Sequence, residues 1–171
     1  MPTYFHRYFG FSVGKASMVF GAITVVAGTL GTVLGGWISD YLLKRTKRAY
    51  FIVSCITLFL SVPFAIFAVM SASHKQAIAM FFAAETLVFM SSGPLNAAIV
   101  NATGLNMRSM AFAVNIFIIH ALGDALSPAL IGIISDGWGL KAAVIACLMV
   151  INLAGLFAAM APRSKTVVTA I

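Results

Sequence analysis

A chain of 171 residues is long enough for one domain or for part of a larger one. Apolar residues make up 61% of it and charged residues 9%, and the mean hydropathy is +1.04. A soluble chain carries roughly 25% charged and about 45–50% apolar residues, so this composition excludes a soluble enzyme, a nucleic-acid binder and a disordered chain. A polytopic membrane protein remains.

The charged residues divide the sequence. Residues 1–15 hold Pro2, Tyr4, Phe5, His6 and Arg7, and read as the outer end of a preceding helix followed by a loop. No early basic segment followed by an apolar stretch and a small-residue cleavage site marks them as a secretory signal. Five apolar runs follow, predicting membrane-crossing helices at 16–38, 50–70, 77–100, 110–134 and 142–161. Each meets the roughly 20 residues needed to cross a hydrocarbon core of about 30 Å. The runs are continuous, and lipid forces backbone groups to pair locally, so helices are expected and not strands. The fold class is therefore all-α, a bundle of five transmembrane helices, with 162–171 as a tail.

The first span carries Gly21, Thr24, Gly28, Gly31 and Gly35, spaced by three and four residues on one face. Small residues let two helix backbones approach closely in lipid. Gly21, Gly28, Gly31 and Gly35 are thus predicted to pack against another helix, as a static seam or as a sliding contact. At the end of this span Gly36 is followed by Asp40, and Asp40 by Lys44 and Arg45. Taken alone, that run is a solvated basic loop with one carboxylate.

The second span contains Pro63, a structural signal before a functional one. The third carries Glu85, Ser92 and Asn96 on one stripe, and Ser91, Ser92, Gly93 and Pro94 predict a kink or break. The fourth carries His120 and Asp124 one helical turn apart near its middle, with Ser127 on the same face. An ionised group at the bilayer centre costs about 2.5–3.5 kcal/mol even on insertion scales, so such residues face a cavity or a partner. Two readings stand. The pair repairs local bonding near Pro128, which frees the carbonyl of residue 124. Alternatively, it serves a proton or substrate pathway with Glu85 and Asn96.

The net charge is +7, and its cations fill the gaps between spans. Lys44, Arg45, Lys47, Arg48, Arg108, Arg163 and Lys165 fall on one side; Arg7, Lys15, Lys75 and Lys141 fall on the other. The richer side is cytoplasmic by the positive-inside rule, which puts the C-terminus inside and the start of the chain outside. The expected setting is the cell membrane (the inner membrane in a bacterium). The lipid bilayer is the first partner, and nucleic acid is not one. Cys55 and Cys147 lie inside apolar runs without metal-ligand spacing. The three histidines are far apart, whereas a metal site needs three or four convergent ligands, so no metal and no cofactor are expected.

The pattern Gly-x-x-x-Asp-x-x-x-(Lys/Arg)-(Lys/Arg), formed here by Gly36, Asp40, Lys44 and Arg45, resembles a cytoplasmic-loop motif of the major facilitator superfamily. Tyr41 and Leu43 depart from it, as in the degenerate copy between helices eight and nine. The string Gly-Asp-x-x-Ser-Pro-x-Leu-Ile-Gly-x-x-Ser-Asp, from Gly123 to Asp136, resembles helix eleven of Spinster-type transporters. The resemblance covers about residues 1 to 162. It implies that the five helices correspond to helices eight to twelve, in the C-terminal half of a major facilitator fold. It further implies a proton-linked secondary transporter of a small amphipathic or lipid-like molecule. The missing N-terminal half, or a second chain, would be the partner, and Gly36, Asp40, Lys44 and Arg45 would form a cytoplasmic gate. No catalytic residues are expected. The alternatives are a membrane scaffold built on the glycine stripe and, at a greater distance, an intramembrane enzyme using His120 and Asp124.

Overall fold

A computed structural model describes residues 2–160. The end of the fifth predicted span at Ala161 and the tail at 162–171, with Arg163 and Lys165, lie outside the described residues. Among those described, six of seven α-helices build five apolar spans: Val13–Leu43, Ala49–Met70, His74–Ala102, Leu105–Trp138 and Leu140–Met160. We number the helices α1 (Pro2–Phe9), α2 (Val13–Leu43), α3 (Ala49–Met70), α4 (His74–Ala102), α5 (Arg108–Ile118), α6 (Ser127–Trp138) and α7 (Leu140–Met160).

At 31 residues α2 is about 46 Å long, at 1.5 Å per residue, and so it overshoots the hydrocarbon core. Its start is set by Ser12, whose hydroxyl accepts the Lys15 backbone N–H at 3.3 Å. Gly10, at φ +66°, turns the chain from α1 into α2. Gly139, at φ +85°, does the same between α6 and α7.

The helices α2, α3 and α4 pack against one another, α7 lies on α3, and α6 lies on α7. The spans alternate in direction. One end of the bundle holds Asp40, Tyr50 and Asn101, joined by hydrogen bonds, together with Arg48, whose guanidinium donates to the Ala159 carbonyl at 2.9 Å. The other end holds α1. There Tyr4 and Phe5 are buried against Phe81, and the Tyr4 hydroxyl donates to the Val69 carbonyl at 2.7 Å. Burial, with Tyr8 nearby, pushes the Tyr4 phenol above its ordinary range and keeps it a donor. Lys15 sits 4.7 Å from the Phe11 ring centroid and Lys141 5.1 Å from that of Tyr8. Residues 2–9 are thus an aromatic plug docked on α3 and α4.

Two proline sites show how the chain accommodates the ring. At 91–94, where a kink or break is predicted, there is no break: α4 runs through Pro94 without interruption. The fourth span, predicted as one helix over 110–134, runs over Leu105–Trp138 and changes its hydrogen bonding near the middle. Residues Ile119–Asp124 form a π-helical turn in which the Ala125 N–H reaches back to the His120 carbonyl at 3.0 Å, and α6 restarts with Pro128 in its first turn. The proline ring would clash with the carbonyl four residues earlier, and a first-turn position removes that conflict.

Candidate functional site

The crossing of α2 and α4 is the closest helix contact the glycines define. A Cβ added at Gly31 would collide with the Thr86 carbonyl and the Phe89 side chain, and one at Gly35 with the Met90 carbonyl. From the opposite helix, a Cβ at Gly93 would lie 2.7 Å from the Thr32 carbonyl and 3.0 Å from the Gly36 nitrogen. Gly28 meets the Phe89 ring at ordinary contact distance. Gly21 departs from the predicted seam: a Cβ there would meet nothing within 4 Å. Between Gly21 and Gly28 the two helices stand a side chain apart, and Thr24 and Glu85 fill the gap.

Pro94 explains part of this contact. It has no N–H for the Met90 carbonyl four residues back, and Gly35 lets α2 approach that oxygen. The hydrogen that replaces a Cβ at Gly35 points at it. Such a Cα–H···O contact is worth about 0.5–1 kcal/mol.

Half-buried Glu85 accepts a hydrogen bond from the Thr24 hydroxyl at 3.1 Å, across the α2–α4 seam. Ser92 and Asn96 continue the Glu85 face of α4, and Asn96 is exposed. His120 and Asp124 are 2.6 Å apart, Nδ1 to Oδ2, and each is 67% exposed. Both lie in the π-helical turn, a deviation frequent at functional sites. Among the described residues, no hydrogen bond or ion pair joins His120–Asp124 to Glu85 or Asn96. The structure forms two separate polar pairs.

Asp40 accepts from the Tyr50 hydroxyl at 3.3 Å, and Asn101 donates to that hydroxyl at 3.1 Å. One chain of hydrogen bonds therefore ties the ends of α2, α3 and α4 together. Among the described residues, Asp40 takes Tyr50 as its partner and not Lys44 or Arg45. Lys44 instead lies 6.0 Å from the centroid of the Tyr41 ring. Gly36 contributes its bare backbone to the Gly93 contact. No sequence signal assigns Tyr50, Asn101 or Gly93 these roles. A tyrosine-asparagine pair separated by 51 residues carries no local pattern.

Among the described residues, no group of three or more His, Cys, Asp or Glu side chains could hold a metal ion. The arrangement is that of a multi-pass membrane bundle with paired polar residues inside its spans.

Comparison with known proteins identifies the family. Residues 1–77 match the Organic Anion Transporter Polypeptide (OATP) family, which is of the major facilitator type. The chain is 33% identical over 126 residues to the Arabidopsis thaliana protein named "Probable sphingolipid transporter spinster homolog 2", covering 74% of this chain and 26% of that one. It is 35% identical over 158 residues to the Danio rerio "Sphingosine-1-phosphate transporter SPNS2", covering 84% of this chain and 31% of the relative. It is 38% identical over 122 residues to the Danio rerio "Protein spinster homolog 3", covering 70% and 24%. The chain belongs to the Spinster-like group of the major facilitator superfamily. These matches span about a quarter to a third of the relatives' length.

Proposed function

We propose that this chain forms helices eight to twelve of a proton-linked secondary transporter that moves a small amphipathic or lipid-like molecule. The observation that carries the reading is the fourth span. No residue of α5, the π-turn or α6 is buried within the chain, yet this span holds the His120–Asp124 pair. Ionisable groups inside a membrane face a bundle interior or a watery cavity, so this face needs a counterpart. The complementary N-terminal bundle, in the same polypeptide or in a second chain, supplies it. Transport then follows from rocking of the two bundles about a midplane site. The names of the matched relatives, as sphingolipid and sphingosine-1-phosphate transporters, support the substrate class.

In this reading His120, Asp124, Glu85 and Asn96 line this half's share of the pathway. Gly36, Asp40, Lys44 and Arg45 form the cytoplasmic gate, and Tyr50 and Asn101 close it by holding Asp40. The basic loop at 44–48 and the C-terminus are cytoplasmic, the protein resides in the cell membrane, and it performs no enzymatic step.

Flux of a fluorescent single-chain amphiphile into proteoliposomes, measured against pH, tests the proposal. The assembled transporter is compared with His120→Gln, Asp124→Asn and the double variant. A shared proton or hydrogen bond makes the two changes non-additive and shifts the pH profile. Additive effects with an unshifted profile mean that the pair only repairs the backbone beside Pro128.

A further inference from the structure

A groove of about 470 Å³ opens between α3 and α4 at the end of the bundle where these helices are joined. Its apolar lining runs from Pro63 and Phe67 to Met70, Ala72 and Met80, and Ser71 and Gln76 are its polar members. That volume lies within the roughly 300–1,000 Å³ of small-molecule sites. The aromatic plug of α1 does not fill it, because Tyr4 and Phe5 pack on Phe81 and Val69, which do not line the groove. Phe67 is 64% exposed. Both helices are long and apolar enough to cross a membrane, so the molecule at hand to fill a groove on their surface is a lipid tail.

The lining is mostly apolar, and its two polar members, Ser71 and Gln76, both belong to the α3–α4 turn and the first turn of α4. Exposed Lys75 begins α4 beside Gln76, and no acidic residue occurs between Asp40 and Glu85. The helix itself starts without a side-chain cap, and the positive end of its dipole favours an anion there. An apolar lining, two polar residues at one end and a cation with no acidic neighbour in the sequence match one class of membrane molecule.

We infer that the groove holds one acyl chain of an anionic bilayer phospholipid, with the lipid phosphate at Lys75 and the Gln76 amide. This site is separate from the transport pathway, and its test uses no flux measurement, so its failure leaves the transport reading intact.

The test places Phe67→Trp in a chain whose own Trp37 and Trp138 are replaced by Phe. The protein is reconstituted into vesicles containing increasing fractions of phosphatidylglycerol or phosphatidylcholine brominated on one acyl chain. Fluorescence of the introduced indole should be quenched at about a fivefold lower mole fraction of the brominated phosphatidylglycerol, the preference that one lysine at an anionic lipid surface supplies. Lys75→Gln, an exposed change that spares the fold, should abolish this preference while acyl quenching persists. Equal quenching by the two lipids in the parent, a preference that survives Lys75→Gln, or no quenching at all would overturn the assignment.

Discussion

The α2–α4 crossing and the fourth span are built from similar apolar sequence and behave in opposite ways. At the crossing, Gly31, Gly35 and Gly93 remove side chains, and backbone meets backbone. Along 105–138 no residue is buried, and the helix passes through a π-turn near its middle. Lipid tails are as apolar as leucine, so apolarity alone does not draw helices together; close fit and polar pairing do. The first region has its fit within this chain. The second carries its polar pair outward, on the face that the proposed function assigns to a partner bundle.

The prolines show the same division. Pro94 is buried, and the carbonyl it frees is packed against Gly35 while α4 continues uninterrupted. Pro128 is exposed, and the chain reaches it through a π-turn.

The largest effect is expected from Gly35→Leu, which drives a side chain into the Met90 carbonyl. Overpacking costs about 1–3 kcal/mol and more where backbone blocks relief. The folded yield in detergent should collapse, while Gly21→Leu, into open space, should leave yield and melting unchanged. Equal behaviour of the two variants would erase the contrast between seam and open face.

A smaller loss, about 1 kcal/mol, is expected when Tyr4→Phe removes the hydroxyl that docks α1 on Val69. It carries a pH signature. The folded-state pKa of Tyr4 is raised, so its contribution is present below the unfolded value near 10 and is lost as pH rises through the folded value. Thermal melts from pH 8 upwards should show an alkaline decline in the parent that is shallower in Tyr4→Phe. Parallel declines would place the titrating group elsewhere.

The smallest change should follow Thr24→Val, which removes the donor to Glu85. Hydrogen bonds between membrane helices average about 0.6 kcal/mol and reach about 1.7. A loss in that range, measured by unfolding in mixed micelles, would fit a seam held mainly by close packing. A loss above 3 kcal/mol would make the polar pair the main tie.

Much of this architecture is legible in the sequence. Gaps in charge mark five apolar spans because lipid tolerates few ions, and the three-four spacing of Gly28, Gly31 and Gly35 marks the seam because small residues have one main use there. His120 and Asp124 are legible as a pair because one turn separates them. The clamp of Asp40 by Tyr50 and Asn101 is not legible, since it depends on how three helix ends converge. Neither is Gly93, whose partners Thr32 and Gly36 are about sixty residues away in the chain. The π-turn also escapes the sequence: proline says that a helix must yield, and not how.

The central claim is that the fourth span faces a water-filled pathway shared with a complementary bundle. Single cysteines placed from 116 to 127, with Cys55 and Cys147 replaced by alanine, can be probed in intact cells with a membrane-impermeant thiol reagent. The account predicts labelling at 120 and 124 and at neighbours on their face, although these positions lie at mid-membrane, with protection on the opposite face. Uniform protection of the whole stretch, as for a helix sealed in lipid, would contradict it.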